Sequence, residues 1–167
     1  MGFFDIFKGK KTEAIDLNGD TVKLINKGLL FEDEQVFLKW NTPVVELKKQ
    51  VSVSERLFAD RAVYNWGERS ILKGLKLPLT TIFWYNNPDS DGKLLKGVEF
   101  NIEGDLNVIE HFKAIKQHLE EYLKVPVTKE DTETSNYMEW IAGDVKLSLY
   151  SYEKYSVKKL KFEIVKL

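Results

Sequence analysis

Two stretches of this chain read alike, and that self-similarity constrains the fold more than any other feature. Val51-Ser52-Val53-Ser54 follows a short helix signal, and Val125-Pro126-Val127-Thr128 follows a long one. Fifteen residues beyond the first Val of each stands a Trp: Trp66 and Trp140. Leu75-Lys76-Leu77-Pro78-Leu79-Thr80-Thr81 then parallels Val145-Lys146-Leu147-Ser148-Leu149-Tyr150-Ser151. Lys96-Gly97-Val98-Glu99-Phe100-Asn101-Ile102 parallels Lys158-Lys159-Leu160-Lys161-Phe162-Glu163-Ile164. The order helix, Val-x-Val, Trp strand, Leu strand, Phe strand therefore occurs twice. The offset shrinks from 74 to 70 to 62 residues, which puts the lost residues at turns. Alternation alone makes any two amphipathic strands look related. The ungapped Val-to-Trp spacing and the shared order are what single out a repeat.

This reading predicts an α+β fold: a tandem duplication of a helix-plus-antiparallel-meander unit, preceded by an N-terminal β-hairpin. Residues 1–14 form a short amphipathic N-terminal segment and residues 15–41 the hairpin strands. Residues 42–103 are the first unit and residues 104–167 the second, packed as one globule. Joining two such units removes sheet edges that would otherwise stand exposed. In size and element order the arrangement resembles the architecture of β-lactamase inhibitor proteins, with no shared motif and no residue role carried over.

Local signals fill in the elements. Leu17-Asn18-Gly19-Asp20 reads as a tight hairpin turn, with a strand over residues 21–25. Lys27-Gly28 turns the chain into a strand at 29–31, and alternation predicts another at 36–40. Asn41-Thr42-Pro43 reads as a helix start, a capping side chain before a proline, with a helix over 43–50. The long helix spans 107–124. Val108, Phe112, Ile115, Leu119 and Tyr122 form its apolar stripe, widened by Ile109 and Leu123, with Asp105 or Asn107 as cap. Phe112, Ile115 and Leu119 are expected to be nearly fully buried against Leu147 and Phe162. Pro126 ends the helix. Strands follow at 137–141, 145–150 and 160–164, with one face on the helix and one toward solvent.

Composition narrows the function. Lys and Arg number 25 against 26 Asp and Glu, and Arg56, Arg61 and Arg69 are the only arginines, so no strong basic field invites nucleic acid. With 43% apolar residues among 167, a sizeable core is within reach. Cysteine is absent, which removes disulfides, thiolate nucleophiles, iron–sulfur clusters and Cys-type zinc sites. No apolar run is long enough to span a membrane. The first residues, Met1-Gly2-Phe3-Phe4-Asp5-Ile6-Phe7-Lys8-Gly9-Lys10-Lys11, lack the form of a secretory signal, since charges follow the apolar stretch and Asp5 interrupts it. Phe3, Phe4 and Phe7 beside Lys8, Lys10 and Lys11 form a tip suited to weak peripheral contact with a membrane or partner. One or two helical turns are too little for stable membrane binding alone.

Candidate chemistry is sparse. His111 and His118 are seven residues apart on one helix, hence about 10 Å apart, too far to share a metal ion. They read as helix-edge histidines. Asn87-Pro88-Asp89-Ser90-Asp91-Gly92 begins like a calcium loop, but its twelfth position is Val98, so it reads as a turn. Glu120-Glu121 and Glu130-Asp131 read as solvated carboxylates. No phosphate-cradling, nucleophile-elbow or zinc-protease motif occurs. No catalytic, cofactor or metal residue is assigned.

If Leu77, Leu79, Leu147 and Leu149 face the core, then Ile82, Trp84, Tyr150 and Tyr152 face the other way. Tyr and Trp are enriched in contact hot spots, so these four are the candidate partner-binding residues. The expectation is a non-enzymatic, cytoplasmic protein-interaction module of bacterial character, read from small size, absent Cys and the excess of Lys over Arg. An immunity or inhibitor role against a toxin or enzyme is one concrete form. The alternative is a small hydrolase or ligand-binding protein with a pocket between the two units.

Overall fold

The computed structural model describes residues 20–87, 92–123, 126–132 and 135–167. It is mixed α+β and mostly antiparallel sheet. A helix α1 (Thr21–Lys27) leads into a hairpin, β1 (Gly28–Phe31) and β2 (Val36–Lys39), and then a short helix α2 (Val44–Leu47). Four strands follow: β3 (Ser54–Leu57), β4 (Arg61–Ile71), β5 (Leu75–Trp84) and β6 (Gly97–Glu103). The long helix α3 (Asp105–Leu123) comes next. Four more strands end the chain: β7 (Thr128–Asp131), β8 (Ser135–Ala142), β9 (Val145–Lys154) and β10 (Val157–Lys166).

Residues 21–25 are helical, which corrects the strand expected there. Val22 and Leu24 alternate with polar neighbours, so period two is a fair reading of so short a run. The helix prevails because the Asp20 carboxylate accepts the Val22 N–H as an N-cap. Ile25 is buried, and its carbonyl accepts the Trp40 indole N–H at 2.6 Å. The Asn18-Gly19 turn lies outside the described residues. The hairpin stands one element later than expected, between β1 and β2, paired from Gly28↔Lys39 to Phe31↔Val36. Gly28 is required at its root, because a Cβ there would meet the Leu38 carbonyl oxygen at 2.3 Å. The second helix is shorter than its 43–50 forecast, although hydrogen-bonded turns continue to Val51, whose N–H reaches Leu47.

The eight later strands form one antiparallel sheet in the order β3-β4-β5-β6-β10-β9-β8-β7. The strands β3–β6 make one meander and β7–β10 another, and the two join through their last strands. Both outer strands are four residues long. Glu55 and Arg56 on β3, and Lys129, Glu130 and Asp131 on β7, place charges on those edges and discourage edge pairing with other chains.

One face of the sheet carries the core. Leu77, Leu79, Val98, Phe100, Phe162, Ile164, Leu147, Leu149, Trp140 and Trp66 are buried there. Ile25, Leu29, Phe31, Leu38, Val44, Leu47, Val108, Ile115 and Leu119 cover them from the helices and hairpin in the same cluster. Trp66 and Trp140 both lie on the second strand of a meander but differ in register. Trp140 pairs with Leu147, whereas Trp66 sits in a bulge between Asn65↔Thr80 and Gly67↔Leu79.

Along α3 the buried stripe is narrower than expected. Val108, Ile115 and Leu119 are buried, but Phe112 is only partly buried and Ile109 is 40% exposed. Phe112 falls at the helix margin, where Val108, Ile109, Phe112, Asn136, Ser151 and Tyr152 line a cleft of about 240 Å³.

The turn between β4 and β5 is held from two sides. Leu72 and Lys73 have φ of 49° and 67°, a left-handed conformation that costs non-glycine residues energy. The Glu32 carboxylate accepts the N–H groups of Lys73 and Gly74 and the Ser70 hydroxyl. His118 donates from Nε2 to the Leu72 carbonyl at 2.6 Å.

Candidate functional site

The candidate site is the other face of the sheet, on which, among the described residues, no helix packs. Alternation along each strand decides what it carries. A row runs across seven strands: Asn65, Thr80, Glu99, Glu163, Ser148, Glu139 and Thr128, paired in that order. Two carboxylates, Glu99 and Glu163, therefore stand directly opposite each other on β6 and β10, an unfavourable pairing by itself. Lys161, one row away, resolves it. Its ammonium contacts Glu99 at 2.8 Å and also bonds Glu163. Burial alone would lower the Lys161 pKa. Hydrogen bonds to Glu163 and Glu99 outweigh that and hold it above the ordinary lysine value.

Tyr150 pairs with Lys161 on one side and with Tyr137 on the other. The Tyr137 and Tyr150 rings are 6.2 Å apart, and Tyr150 stacks on Tyr152 at 5.9 Å. Tyr137 donates its hydroxyl to Glu139. Burial, then that hydrogen bond, pushes the Tyr137 phenol above its ordinary pKa. Burial and then the Glu163 charge do the same to Tyr150. The resolved shifts at Tyr137, Tyr150 and Lys161 all move away from neutrality.

Ile82 and Trp84 lie at the other end of this face. They line a cleft of about 270 Å³ with Glu99, Lys161, Glu163 and Val165, where β5 and β6 diverge. The two strands share the single ladder pair Thr80↔Glu99. A side-chain relay holds the seam below it. The buried Thr81 hydroxyl accepts the Trp66 indole N–H and donates to the Gly97 carbonyl, both at 2.9 Å. Trp84 is 42% exposed, and the Arg61 guanidinium lies 5.0 Å from its ring and 4.6 Å from that of Phe58. Phe58 is itself 42% exposed there.

All four sequence-derived candidates thus share a face, but they do not form one patch. Ile82 and Trp84 make one corner, and Tyr150 and Tyr152 the opposite one. Ile82 and Tyr152 are separated by three strand spacings and roughly six residues along the strands, or about 25 Å. The Glu99–Lys161–Glu163 network lies between. Sequence reasoning missed Tyr137, Lys161 and the Phe58–Arg61 pair. Tyr137 and Lys161 were legible, since Tyr137-x-Glu139 and Lys161-x-Glu163 alternate with buried Met138, Trp140, Leu160 and Phe162.

Other polar clusters serve the frame. Tyr64 is 3% exposed and donates its hydroxyl to Glu55. Burial, then that carboxylate, raises the Tyr64 phenol, which disqualifies it as a base near neutral pH. Hydrogen bonds from Lys48 and then Tyr64 lower the Glu55 pKa. A depressed carboxylate adds stability that is present above its unfolded value and lost as pH falls through the folded one. In urea titrations, the unfolding midpoint of the wild type should fall more between about pH 6 and pH 3 than that of Glu55→Gln. Equal losses would remove Glu55 from the acid response.

His111 bonds the Asn107 carbonyl and packs against Phe100, and His118 holds the turn described above, so both sit at the helix edge. Among the described residues, no group of three or more His, Asp or Glu gathers as a metal site. The Asn87–Gly92 loop falls mostly outside the described residues, as do Phe3, Phe4 and Phe7. No helix among the described residues is long and apolar enough to cross a membrane. Set against known proteins, the chain matches no family model, no curated protein and no solved structure.

Proposed function

We propose that the chain is a non-enzymatic protein-interaction module that engages a protein partner through the sheet face opposite its helices. The observation that carries this reading is the makeup of that face. Two aromatic corners, Trp84 with Phe58 and Arg61, and Tyr137 with Tyr150 and Tyr152, flank a self-neutralised polar centre. Exposed aromatic and Arg clusters are the usual anchors of protein contacts. Trp84 and Tyr152, three strand spacings and eight residues apart, are separated by about 30 Å, within the span of one standard interface of about 800 Å² per partner. The alternative, a small hydrolase or ligand-binding protein, needs a free acid, base or ligand-binding charge in the cleft. There Glu99 and Glu163 are both tied to Lys161.

The same reading includes a tandem duplication over residues 42–103 and 104–167. Its support is a coincidence of register. The 62-residue offset aligns Phe100 with Phe162, and these two pair directly across β6 and β10, where a two-fold axis relating two units would pass. Offsets of 70 and 62 carry Thr80↔Glu99 onto Tyr150↔Lys161, itself an observed pair. The shifted register of Trp66 departs from the pattern and assigns the bulge to the first unit. A bacterial, cytoplasmic protein of immunity or inhibitor type is the concrete form proposed.

The test is a comparison of wild type with Trp84→Ala/Tyr152→Ala as bait in an extract of the native host. The double variant should keep its urea midpoint and bind the retained protein more weakly by about 2 kcal/mol, roughly 30-fold. Equal retention by both baits, or unfolding of the variant, would end the binding-face reading.

A further inference from the structure

The cleft beside α3 has two unlike walls. On the helix side stand Val108, Ile109 and Phe112, all apolar. The other wall comes from the ends of β8, β9 and β10. Alternation puts Ser151 and Glu153 on the same side of β9 as buried Leu147 and Leu149. It puts Asn136 with Met138 and Trp140 on β8, and Lys158 with Leu160 and Phe162 on β10. Four polar side chains therefore occupy core-side positions opposite the apolar margin of α3. The two walls leave about 240 Å³ open between them, and Ile109 stays 40% exposed. Asn136 donates from Nδ2 to the Ser151 hydroxyl oxygen at 3.3 Å, so the Ser151 proton is available to a further acceptor. Glu153 and Lys158 stand opposite each other in the β9–β10 register, and their charges offset. Lys113, which also lines the cleft, is exposed and makes no ion pair with a described residue.

We propose that this cleft binds a small apolar carboxylate, its hydrocarbon against Val108, Ile109 and Phe112 and its carboxylate at Lys113 and the Ser151 hydroxyl. Volume sets the size class. The cleft is smaller than the roughly 300 Å³ at which sites for drug-sized ligands begin, so it takes one short chain or a single ring. Charge sets the head group. With Glu153 offset by Lys158, the cleft is left with the Lys113 ammonium, which attracts a carboxylate and repels an amine. Hydrogen bonds to a carboxylate are charge-assisted and about twice as strong as neutral ones. An alcohol of the same length gains the apolar wall but not that contact. The site does not depend on the face proposed to bind protein, because Ser151 lies on the core side of β9. Tyr152 borders both surfaces and is left unchanged in the test.

The test is an NMR titration of the full chain with hexanoate, and in parallel with hexanol and hexylamine. Hexanoate should shift the backbone amides of Ile109, Phe112, Lys113 and Ser151 together and saturably, with a Kd on the order of 1 mM for so small a ligand. Hexanol should bind about tenfold more weakly at the same residues, and hexylamine should give no saturable shift. Lys113→Gln should bring hexanoate down to the level of hexanol and leave hexanol unchanged. Ile109→Ser should weaken both. Lys113 and Ile109 are exposed, so both variants should keep the dispersed spectrum of the wild type. Trp84→Ala should leave hexanoate binding as it is, which separates this site from the protein-binding face. Absence of a saturable shift with hexanoate would overturn the proposal. So would equal affinity for hexanoate and hexanol, which would mark an apolar hollow without charge recognition, or unchanged hexanoate affinity in the folded Lys113→Gln variant.

Discussion

Leu119→Ala should lower the free energy of unfolding by about 2–5 kcal/mol. Leu119 is 1% exposed and belongs to the same cluster as Leu147, Phe162 and Ile115, beneath the helix that covers the junction of the two meanders. Truncating it to a methyl group leaves a cavity that neighbours on the sheet cannot fill without shifting. Phe112→Ala, about two turns earlier on the same helix, is not equivalent, because Phe112 is only partly buried at the helix margin. Its loss should be the smaller of the two, although Phe is the larger side chain. Urea titration of both variants measures this. A loss below about 1 kcal/mol for Leu119→Ala would mean that α3 does not seat on the sheet as described.

Thr81→Val should cost about 2–4 kcal/mol, although it hardly changes volume. The hydroxyl accepts from Trp66 and donates to Gly97 in a buried setting. Valine would leave an indole N–H and a carbonyl without that partner, at about 1–3 kcal/mol for each buried group left unsatisfied. The effect should concentrate at the seam between β5 and β6, which has one ladder pair to share the load. Hydrogen exchange should therefore accelerate in β5 and β6 more than in β9 and β10. Uniform acceleration would show that Thr81 supports the whole fold and not the seam.

The strands β5, β6, β8, β9 and β10 were legible because period-two alternation and one-sided burial coincide there, whereas β7, Thr128–Asp131, carries no apolar residue to alternate. Leu77, Leu79, Leu147, Leu149, Phe100 and Phe162 all point inward as their spacing implies. The helix at residues 21–27 was not legible from alternation, because seven residues are too few to separate the two periods, and the outcome turns on a cap and on the Trp40 contact. Ile109 reads as part of the apolar stripe by spacing, yet stands exposed, because that margin of the helix borders a cleft instead of packing on the sheet. The facing of Ile82, Trp84, Tyr150 and Tyr152 follows from parity along β5 and β9. Their separation into two corners does not, because it depends on the strand order β5-β6-β10-β9, a long-range pairing that no local pattern encodes.

The central claim is that the sheet face opposite the helices is the surface that meets a partner. Hydroxyl-radical footprinting of the full chain, alone and bound to the protein it retains from host extract, tests this most directly. The account predicts that Trp84, Tyr137, Tyr150 and Tyr152 lose reactivity together on binding, while Ile109 on α3 and Val45 on α2 stay as reactive as in the free chain. Protection of Ile109 and Val45 with the four aromatic residues unchanged would contradict it.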